Sequence, residues 1–246
     1  MNNEILNCLD YDRINLKVLL INGSPRAEKR SRSAFLMQET LESMAGTEGV
    51  ELLTYSFAHK QIRPYRESVD KIAQGKDHFP ELLEKWLSAD AVIWSVPVYH
   101  MGPPSLVRAA MNRLSAEVLE ASKANGQTHL PRYSKVVGGI IQGGSRFGGQ
   151  EINMLYMMQH TYQMRCIWVS ADMHESYHGV AVHTTTDEAL REDEGTLNLC
   201  RVLGRRVIET ARFVKAGLML TGDTLPDEYF PSRQKAGEID RAALLT

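Results

Sequence analysis

Five short apolar segments, separated by stretches of helical periodicity, constrain the fold of this chain more than any other feature of its sequence. The segments are Leu16–Ile21, Val50–Phe57, Ala91–Val98, Lys135–Ile141 and Arg165–Ser170. Nearly continuous apolar runs such as AVIWSVPV are typical of strands with helices on both faces of the sheet. Strands that alternate with helices indicate a parallel sheet with right-handed crossovers. The sequence therefore predicts an α/β fold with a five-stranded parallel sheet and helices on both faces.

The alternating pattern assigns most of the chain to one domain. It runs from residue 16 to residue 215 of the 246 residues. We expect residues 1–15 to form an N-terminal extension and residues 216–246, which contain Pro226 and Pro231, to form an extended C-terminal arm. No window approaches the roughly 18 uncharged apolar residues of a membrane span, and no secretory signal pattern opens the chain. These features predict a cytoplasmic protein that does not enter a membrane.

Charge and cysteine content limit which ligands and partners the sequence predicts. The formal net charge of -2 gives no electrostatic footprint for nucleic acid or an anionic membrane. The three cysteines, Cys8, Cys166 and Cys200, are far apart and show no CxxC spacing. That pattern argues against a disulfide framework and against a cysteine-ligated metal or iron–sulfur centre. We expect a small-molecule ligand, no metal and no nucleic acid.

The loop after the first strand predicts a phosphate site. Ligands of open α/β sheets bind outside the carboxyl ends of the strands. Residues 22–33 leave a buried strand and enter a helix N-terminus, where free N–H groups and the helix dipole favour an anion. Ser24, Ser31 and Ser33 add hydroxyl groups, and Arg26 adds positive charge. The loop contains neither a P-loop nor a GxGxxG motif, so a phosphate monoester is the expected ligand.

Two further loops follow the third and fourth strands. Residues 97–104 combine three prolines and a glycine with Tyr99, so they predict a rigid turn able to edge a flat, partly apolar ring. Residues 143–150 are rich in glycine, which lets a backbone approach a ligand closely and leaves N–H groups free for its polar edge. The carboxyl ends of parallel strands share one sheet edge, so all three loops are expected at one site.

The three loops carry a family resemblance. The segments LLINGSPR, SADAVIWSVPVYHMGPPSLVRAAMNR and IIQGGSRFGGQE occur in this order between about residues 16 and 170. Over that range the chain resembles the NAD(P)H-dependent FMN reductases and multimeric flavodoxins of the flavodoxin-like superfamily. The resemblance implies a flavodoxin-like fold, an FMN cofactor, and NADPH or NADH as co-substrate. It also implies a homodimer or homotetramer, which the apolar, Met-rich segment 154–158 supports indirectly.

The resemblance also implies a role for each loop. The FMN phosphate is expected at Ser24, Arg26, Ser31 and Ser33. One side of the isoalloxazine ring is expected against Pro97, Val98, Tyr99, His100 and Met101. The pyrimidine edge of the ring is expected at the backbone N–H groups of Gly143, Gly144, Ser145 and Gly148. Tyr99 and His100 are the candidate catalytic residues, as proton donors to the acceptor.

Two segments depart from the family pattern. The related iron–sulfur flavoproteins carry a cysteine cluster that begins near an Ile-x-Pro-Cys, whereas residues 62–66 here read IRPYR, so no cluster is expected. Arg113 stands where the family often ends a helix in Asp-Arg, and we interpret it as structural.

Residues 171–186 have no family counterpart that we can place. Their HESYH sequence fits the HExxH pattern literally, but a zinc peptidase needs that motif on a stable helix with a third ligand. A loop over the cofactor face, with His178 or Tyr177 in the acceptor pocket, is the expectation.

These features predict an FMN-dependent oxidoreductase that uses NAD(P)H to reduce a small acceptor such as a quinone or a flavin. Ping-pong hydride transfer is the expected mechanism, with NAD(P)H leaving before the acceptor enters the same space. Two alternatives stay open. One is a pathway-specific oxidoreductase acting on a single metabolite with the same FMN site. The other is a flavodoxin-like electron carrier with no NAD(P)H reaction of its own.

Overall fold

The computed structural model describes residues 14–65, 76–124, 135–171, 174 and 176–221, so nearly all of the predicted N-terminal extension lies outside the described residues. The strands are β1 (Leu16–Asn22), β2 (Val50–Ser56), β3 (Ala91–Pro97), β4 (Val136–Gly143), β5 (Ile167–Val169) and β6 (Val180–His183). The helices are α1 (Arg32–Met44), α2 (Phe79–Ser88), α3 (Ser105–Ala124), α4 (Gln150–Gln163), α5 (Asp187–Glu192) and α6 (Glu194–Thr221). A single 3₁₀ turn, Glu28–Arg30, precedes α1.

The strands form a parallel sheet in the order β2-β1-β3-β4-β5. The direction of winding reverses between β1 and β3, which pair directly, with Asn22 opposite Ser95 at their carboxyl ends. In open α/β sheets such a reversal opens the crevice in which ligands bind. The loops after β1 and β3 therefore lie side by side at the crevice, and the loop after β4 is the next along the same edge.

Helices cover both faces of the sheet, as predicted. On one face, α1, α5 and α6 pack against alternate residues of β1, including Val18 and Leu20. On the other face, α2, α3 and α4 pack against Leu19 and Ile21. All four of these β1 side chains are completely buried, and burial of each contributes about 1.5–3 kcal/mol. This two-sided burial explains why the strands read as continuous apolar runs.

The predicted five strands are present, and the structure adds a sixth. β5 pairs with the first half of β4, and β6 pairs in parallel with its second half. The edge strand is thus split: its first piece ends at Val169 and its second begins at Val180. Val180 and Val182 are buried while Ala181 and His183 are exposed, the alternation of a half-buried edge strand. The expectation of a loop throughout residues 171–186 was therefore wrong for Val180–His183.

The C-terminal helical stretch also differs from the prediction. The helical stretch after β6 is divided at Asp193, whose Oδ1 accepts a hydrogen bond from the Thr196 N–H at 3.0 Å and caps α6. α6 ends at Thr221, so residues 216–221 are helical rather than the start of an extended arm. Residues 222–246 lie outside the described residues.

The chain divides into a compact unit of residues 1–216 and a short unit of residues 217–246. In the described part, none of the helices has the length and apolar character that crossing a membrane requires.

Candidate functional site

The loop after β1 is fixed by a chain of short polar contacts. Asn22 is completely buried, and its Oδ1 accepts a hydrogen bond from the Ser24 N–H at 3.1 Å. The Ser24 hydroxyl then accepts from the Arg26 N–H at 3.2 Å. Gly23 is required here because a Cβ would lie 3.0 Å from methyl groups of Val96 and Val107. These contacts hold Ser24 and Arg26 at the mouth of the crevice.

The end of this loop presents a helix N-terminus. Ser31 is the N-cap of α1, and its hydroxyl accepts from the Ala34 N–H at 3.0 Å. Ser33, only 1% exposed, has a hydroxyl group with no hydrogen-bond partner in the described structure. A buried hydroxyl left without a partner costs about 1–3 kcal/mol. A phosphate oxygen would accept its hydrogen bond, so the residues present fit a phosphate group.

Two arginines of the loop have different tasks. The exposed Arg26 guanidinium lies 5.7 Å from the ring centroid of Tyr99, so it links the first loop to the second. Arg32 donates to the Asp187 carboxylate at 2.6 Å and to the carbonyl groups of residues 184–185 at 3.0 and 2.8 Å. Arg32 is therefore committed to the segment that follows β6. Arg26 remains available for an anionic ligand.

The loop after β3 contains a strained turn. The main chains of Tyr99 and Gly102 exchange two hydrogen bonds, at 2.8 and 3.0 Å, around His100 and Met101. His100 has φ 48° and Met101 has φ 65°, so both central residues are left-handed, as in a type I′ turn. Each such residue other than glycine costs on the order of 1 kcal/mol. The surrounding structure must impose this conformation.

Asn153, on α4, and Gly149, just before α4, lie against this turn. The Asn153 side-chain amide donates to the Met101 carbonyl at 3.2 Å and to the Gly149 carbonyl at 2.7 Å. Gly149 has φ 94°, and a Cβ there would lie 3.1 Å from the Met101 carbonyl oxygen. The second and third loops are thus locked together. Sequence reasoning missed Asn153, and the one signal for it is a polar residue at a buried position of an apolar helix.

The glycines of the third loop fall into two kinds. A Cβ on Gly143 would lie 2.6 Å from the Gln150 side-chain nitrogen, which donates to the Ser145 carbonyl at 2.8 Å. Gly148 is also internal to the loop, because its own N–H donates to the Ser145 carbonyl at 3.1 Å. Gly144 is different: it is exposed, and a Cβ there would meet nothing nearer than 3.9 Å. The expected N–H group of Gly148 is therefore already engaged, whereas Gly144 faces open space.

The structure brings the predicted site residues to one edge of the sheet. Pro97 and Gly143 end their strands in buried positions, and the Val98 N–H donates to the Gln142 carbonyl at 2.8 Å, which joins those strand ends. Tyr99 is half-buried and His100 is exposed. All predicted positions lie in these three loops or at the adjoining ends of their strands and helix: Ser24, Arg26, Ser31, Ser33, Pro97, Val98, Tyr99, His100, Met101, Gly143, Gly144, Ser145 and Gly148.

Arg113 belongs to the scaffold behind the site. Its guanidinium is buried, donates to Asp77 and Glu117 at 2.7 Å each, and lies 3.9 Å from the ring centroid of Phe79. Burial raises the pKa of Asp77, but the hydrogen bonds from Arg113, Phe79 and Arg63 and the charge of Arg113 together outweigh burial, so that pKa lies below its ordinary value. These contacts support the structural interpretation of Arg113.

The histidine-containing segment does not form the helix that an HExxH zinc site needs. Residues 176–179 are non-helical, and residue 175 lies outside the described residues. His174 Nδ1 lies 3.3 Å from the Tyr177 hydroxyl. Over the residues that the structure describes, no three His, Cys, Asp or Glu side chains are grouped as a metal site would require.

The two described cysteines lie on opposite faces of the sheet. Cys166 is buried with α2, α3 and α4, whereas Cys200 is buried on α6. Burial raises the pKa of the Cys166 thiol to about 11 and that of Cys200 to about 12. Their positions prevent them from ligating one metal centre together.

Comparison with known proteins agrees with this architecture. The family model described as NADPH-dependent FMN reductase matches residues 16–175. An iron–sulfur flavoprotein of Methanocaldococcus jannaschii is 29% identical over 206 residues, which cover 81% of this chain and 100% of the relative.

Two solved structures show the same fold. A flavone reductase superposes with a TM-score of 0.58 at 17% identity over 81% of this chain, which spans 64% of that protein's length. A flavodoxin, WrbA-like protein from Agrobacterium tumefaciens superposes with a TM-score of 0.53 at 16% identity, over 81% of this chain and 99% of that one. From the matched family and the fold, the chain belongs to the NADPH-dependent FMN reductase family and is an FMN-dependent oxidoreductase with a flavodoxin-like architecture.

Proposed function

We propose that the three loops bind FMN and that the protein uses NAD(P)H to reduce a small acceptor, such as a quinone or a free flavin. The phosphate cradle carries the proposal. Ser24 is buried just after β1, Ser31 and Ser33 are buried at the N-terminus of α1, and the Ser33 hydroxyl lacks a partner in the described structure. The exposed Arg26 adds a cation at the same mouth. Hydroxyl groups, a helix N-terminus and a cation together suit a phosphate monoester.

The second and third loops suit the ring of the cofactor. The turn at His100 and Met101 supplies one apolar wall, and Met101 is 52% exposed, so its side chain is free to cover a flat ligand. Gly144 lets the backbone approach a ligand without a side chain in the way. The N–H groups of Gly144 and Ser145 take no part in the internal hydrogen bonds of the described loop. They are the donors that we assign to the pyrimidine edge.

The chemistry divides between cofactor and protein. FMN, when bound, supplies the two-electron relay between NAD(P)H and the acceptor. Tyr99 and His100 are the protein groups that we assign to proton donation, since both border the opening and neither side-chain polar group has a hydrogen-bond partner in the described structure. Backbone donors at Gly144 and Ser145 favour negative charge on the adjacent ligand edge. We propose a ping-pong order, in which NAD(P)H leaves before the acceptor enters the same opening.

We further propose that the chain self-associates through α4 as a homodimer or homotetramer. Leu155 and Tyr162 lie along one face of α4 and are 49% and 56% exposed. Clustered exposed apolar residues mark an interaction surface more often than scattered ones do. Sedimentation of the purified protein tests this state, and a monomer at all concentrations would contradict it.

The function is tested by the visible spectrum of the purified protein, with FMN titrated in where the protein is colourless, followed by anaerobic NADPH. We expect a flavin spectrum that bleaches with NADPH and returns when a quinone is added. Binding without bleaching would contradict NADPH dependence and favour an electron carrier. Absence of FMN binding would contradict the cofactor assignment itself.

A further inference from the structure

A cavity opens beside the candidate site, between the third loop and β6. Its volume is about 400 Å³, and it is lined by Met101, by Arg146, Phe147 and Gly149, by the first turn of α4 and by residues 181–183 of β6. Met101 is the residue that this cavity shares with the proposed wall of the flavin ring. A molecule held here would therefore lie against the turn that borders the cofactor.

Part of the cavity wall is made of large apolar side chains. Met101, Phe147 and Ile152 are 52%, 91% and 60% exposed, so folding leaves three large apolar side chains uncovered around one opening. Single exposed apolar residues are ordinary on a protein surface. Three of them around a concave opening are typical of a site for an aromatic or otherwise apolar ligand.

One cation of the cavity is uncommitted. Arg146 makes no hydrogen bond and no ion pair with any residue that the structure describes. Arg32 and Arg113, by contrast, are each held by carboxylate groups. An unpaired guanidinium beside an apolar wall is suited to a planar acid group, because it offers a rigid fork of donors.

The other charged and titratable groups of the cavity are Glu151 and His183. Glu151 is exposed in the first turn of α4 and forms no ion pair with Arg146. Its carboxylate places negative charge in the same opening and so opposes a second acid group on the ligand. The combination of one free cation and one nearby anion favours a ligand with a single negative group.

We propose that this cavity binds an aromatic ring carrying one acid group, a carboxylate or a sulfonate, and that such molecules are the preferred acceptors of the enzyme. The inference rests on the proposed function for its second half, but binding to the cavity requires no flavin chemistry. The ring lies against Met101, Phe147 and Ile152, and the acid group pairs with Arg146.

Binding is tested with naphthalene-2-sulfonate, which hydride transfer does not reduce, and with neutral 2-naphthalenemethanol as its uncharged counterpart. Isothermal titration of the whole FMN-loaded chain measures both affinities. Arg146→Gln is expected to weaken sulfonate binding about fivefold or more and to leave the neutral compound within about twofold. Glu151→Gln is expected to strengthen sulfonate binding about twofold. Arg205→Gln, which makes the same change at an exposed position of α6, is expected to change neither.

Preference between acceptors is tested by kcat/KM for 1,4-naphthoquinone-2-sulfonate and for 1,4-naphthoquinone, with NADPH as reductant. The sulfonate is expected to be the better acceptor for the unchanged chain, and Arg146→Gln is expected to remove that preference. An equal loss for both quinones, unchanged sulfonate affinity in Arg146→Gln, or no sulfonate binding at all would overturn the inference. A protein that does not bind FMN would instead fail the proposed function, while titration of the naphthalene compounds into the whole FMN-free chain would still decide the cavity.

Discussion

The Asn153 side-chain amide donates to the main-chain carbonyl of Met101 at 3.2 Å and so connects α4 to the strained turn that follows β3. The same amide donates to the Gly149 carbonyl at 2.7 Å, which makes one buried side chain the junction of two ligand-facing loops. Through Asn153, α4 supports the turn that contains the left-handed residues His100 and Met101. None of the residues predicted to contact FMN lies on α4.

Replacing Asn153 should disturb both stability and cofactor binding. Asn153→Ala removes both amide hydrogen bonds and leaves the Met101 carbonyl without this donor, while the Gly149 carbonyl keeps the backbone N–H of residue 153 at 3.0 Å. We therefore expect a loss of about 1–3 kcal/mol in the free energy of unfolding. The freed turn should also lower FMN affinity. Urea denaturation and FMN titration measure the two effects. A stable variant with unchanged FMN affinity would show that the turn does not depend on Asn153.

Residues better suited to the left-handed turn at His100 and Met101 should raise the stability of the protein. Asn and Gly tolerate the left-handed conformation far better than His and Met, so the double change His100→Asn, Met101→Gly is expected to raise the free energy of unfolding by about 1–2 kcal/mol. The gain should come with weaker acceptor turnover, since a candidate proton donor and an apolar wall are removed. The midpoint of urea denaturation measures the first effect. An unchanged or lower midpoint would mean that the conformation carries no strain.

Two neighbouring glycines offer a matched pair. Gly144→Ala should leave folding unchanged, because a Cβ there meets nothing nearer than 3.9 Å, and yet should weaken FMN binding if the ring approaches this backbone. Gly143→Ala should instead lower thermal stability, because its Cβ would lie 2.6 Å from the Gln150 side chain. Thermal unfolding and flavin titration of both variants separate packing from ligand contact. Full FMN affinity in Gly144→Ala would place the ring elsewhere.

Acid should destabilise the protein partly through His160. Burial lowers the pKa of His160 to about 4 from an ordinary 6.5, and its Nε2 lies 2.9 Å from the Met111 carbonyl oxygen. Between those two pKa values the unfolded chain binds a proton that the folded chain does not, so the free energy of unfolding falls as pH falls through this window. The full effect is about 3 kcal/mol.

The test compares urea denaturation of the unchanged chain with that of His160→Gln between about pH 7 and pH 5. The variant should lose less stability over this range, because glutamine can donate to Met111 but does not titrate. Asp77 and Glu81, whose pKa values lie below their ordinary values, contribute equally to both proteins at lower pH. Parallel pH profiles for the two proteins would contradict the role assigned to His160.

Much of the fold could be predicted because its signals are local. β1 and β3 are nearly all apolar, and their burial on two faces leaves a pattern that a sequence shows directly. β6 could not be predicted in that way. It is four residues long, it follows the histidine-containing segment, and it forms because short β5 leaves the second half of β4 without a partner. That condition depends on a register set elsewhere in the chain.

The candidate site also contains features that the sequence predicts and features that depend on distant contacts. Serines and Arg26 after a buried strand indicate an anion site from composition alone, whereas the engagement of Arg32 with Asp187 depends on a residue 155 positions away. The left-handed turn is equally hidden, since the sequence HM lacks glycine and Met101 is not a residue that favours positive φ. Asn153 and Gly149 impose it through contacts that only the folded chain contains.

The most direct test of the account is the dissociation constant of FMN for the unchanged chain and for the double variant Ser24→Ala, Arg26→Ala. Arg108→Ala, which changes an exposed arginine on α3 outside the three loops, serves as the control. We predict that the double variant binds FMN at least about tenfold more weakly, since it loses a phosphate hydroxyl and a cation, while the control keeps its affinity. Equal FMN affinity in all three proteins would contradict the assignment of the phosphate to this loop.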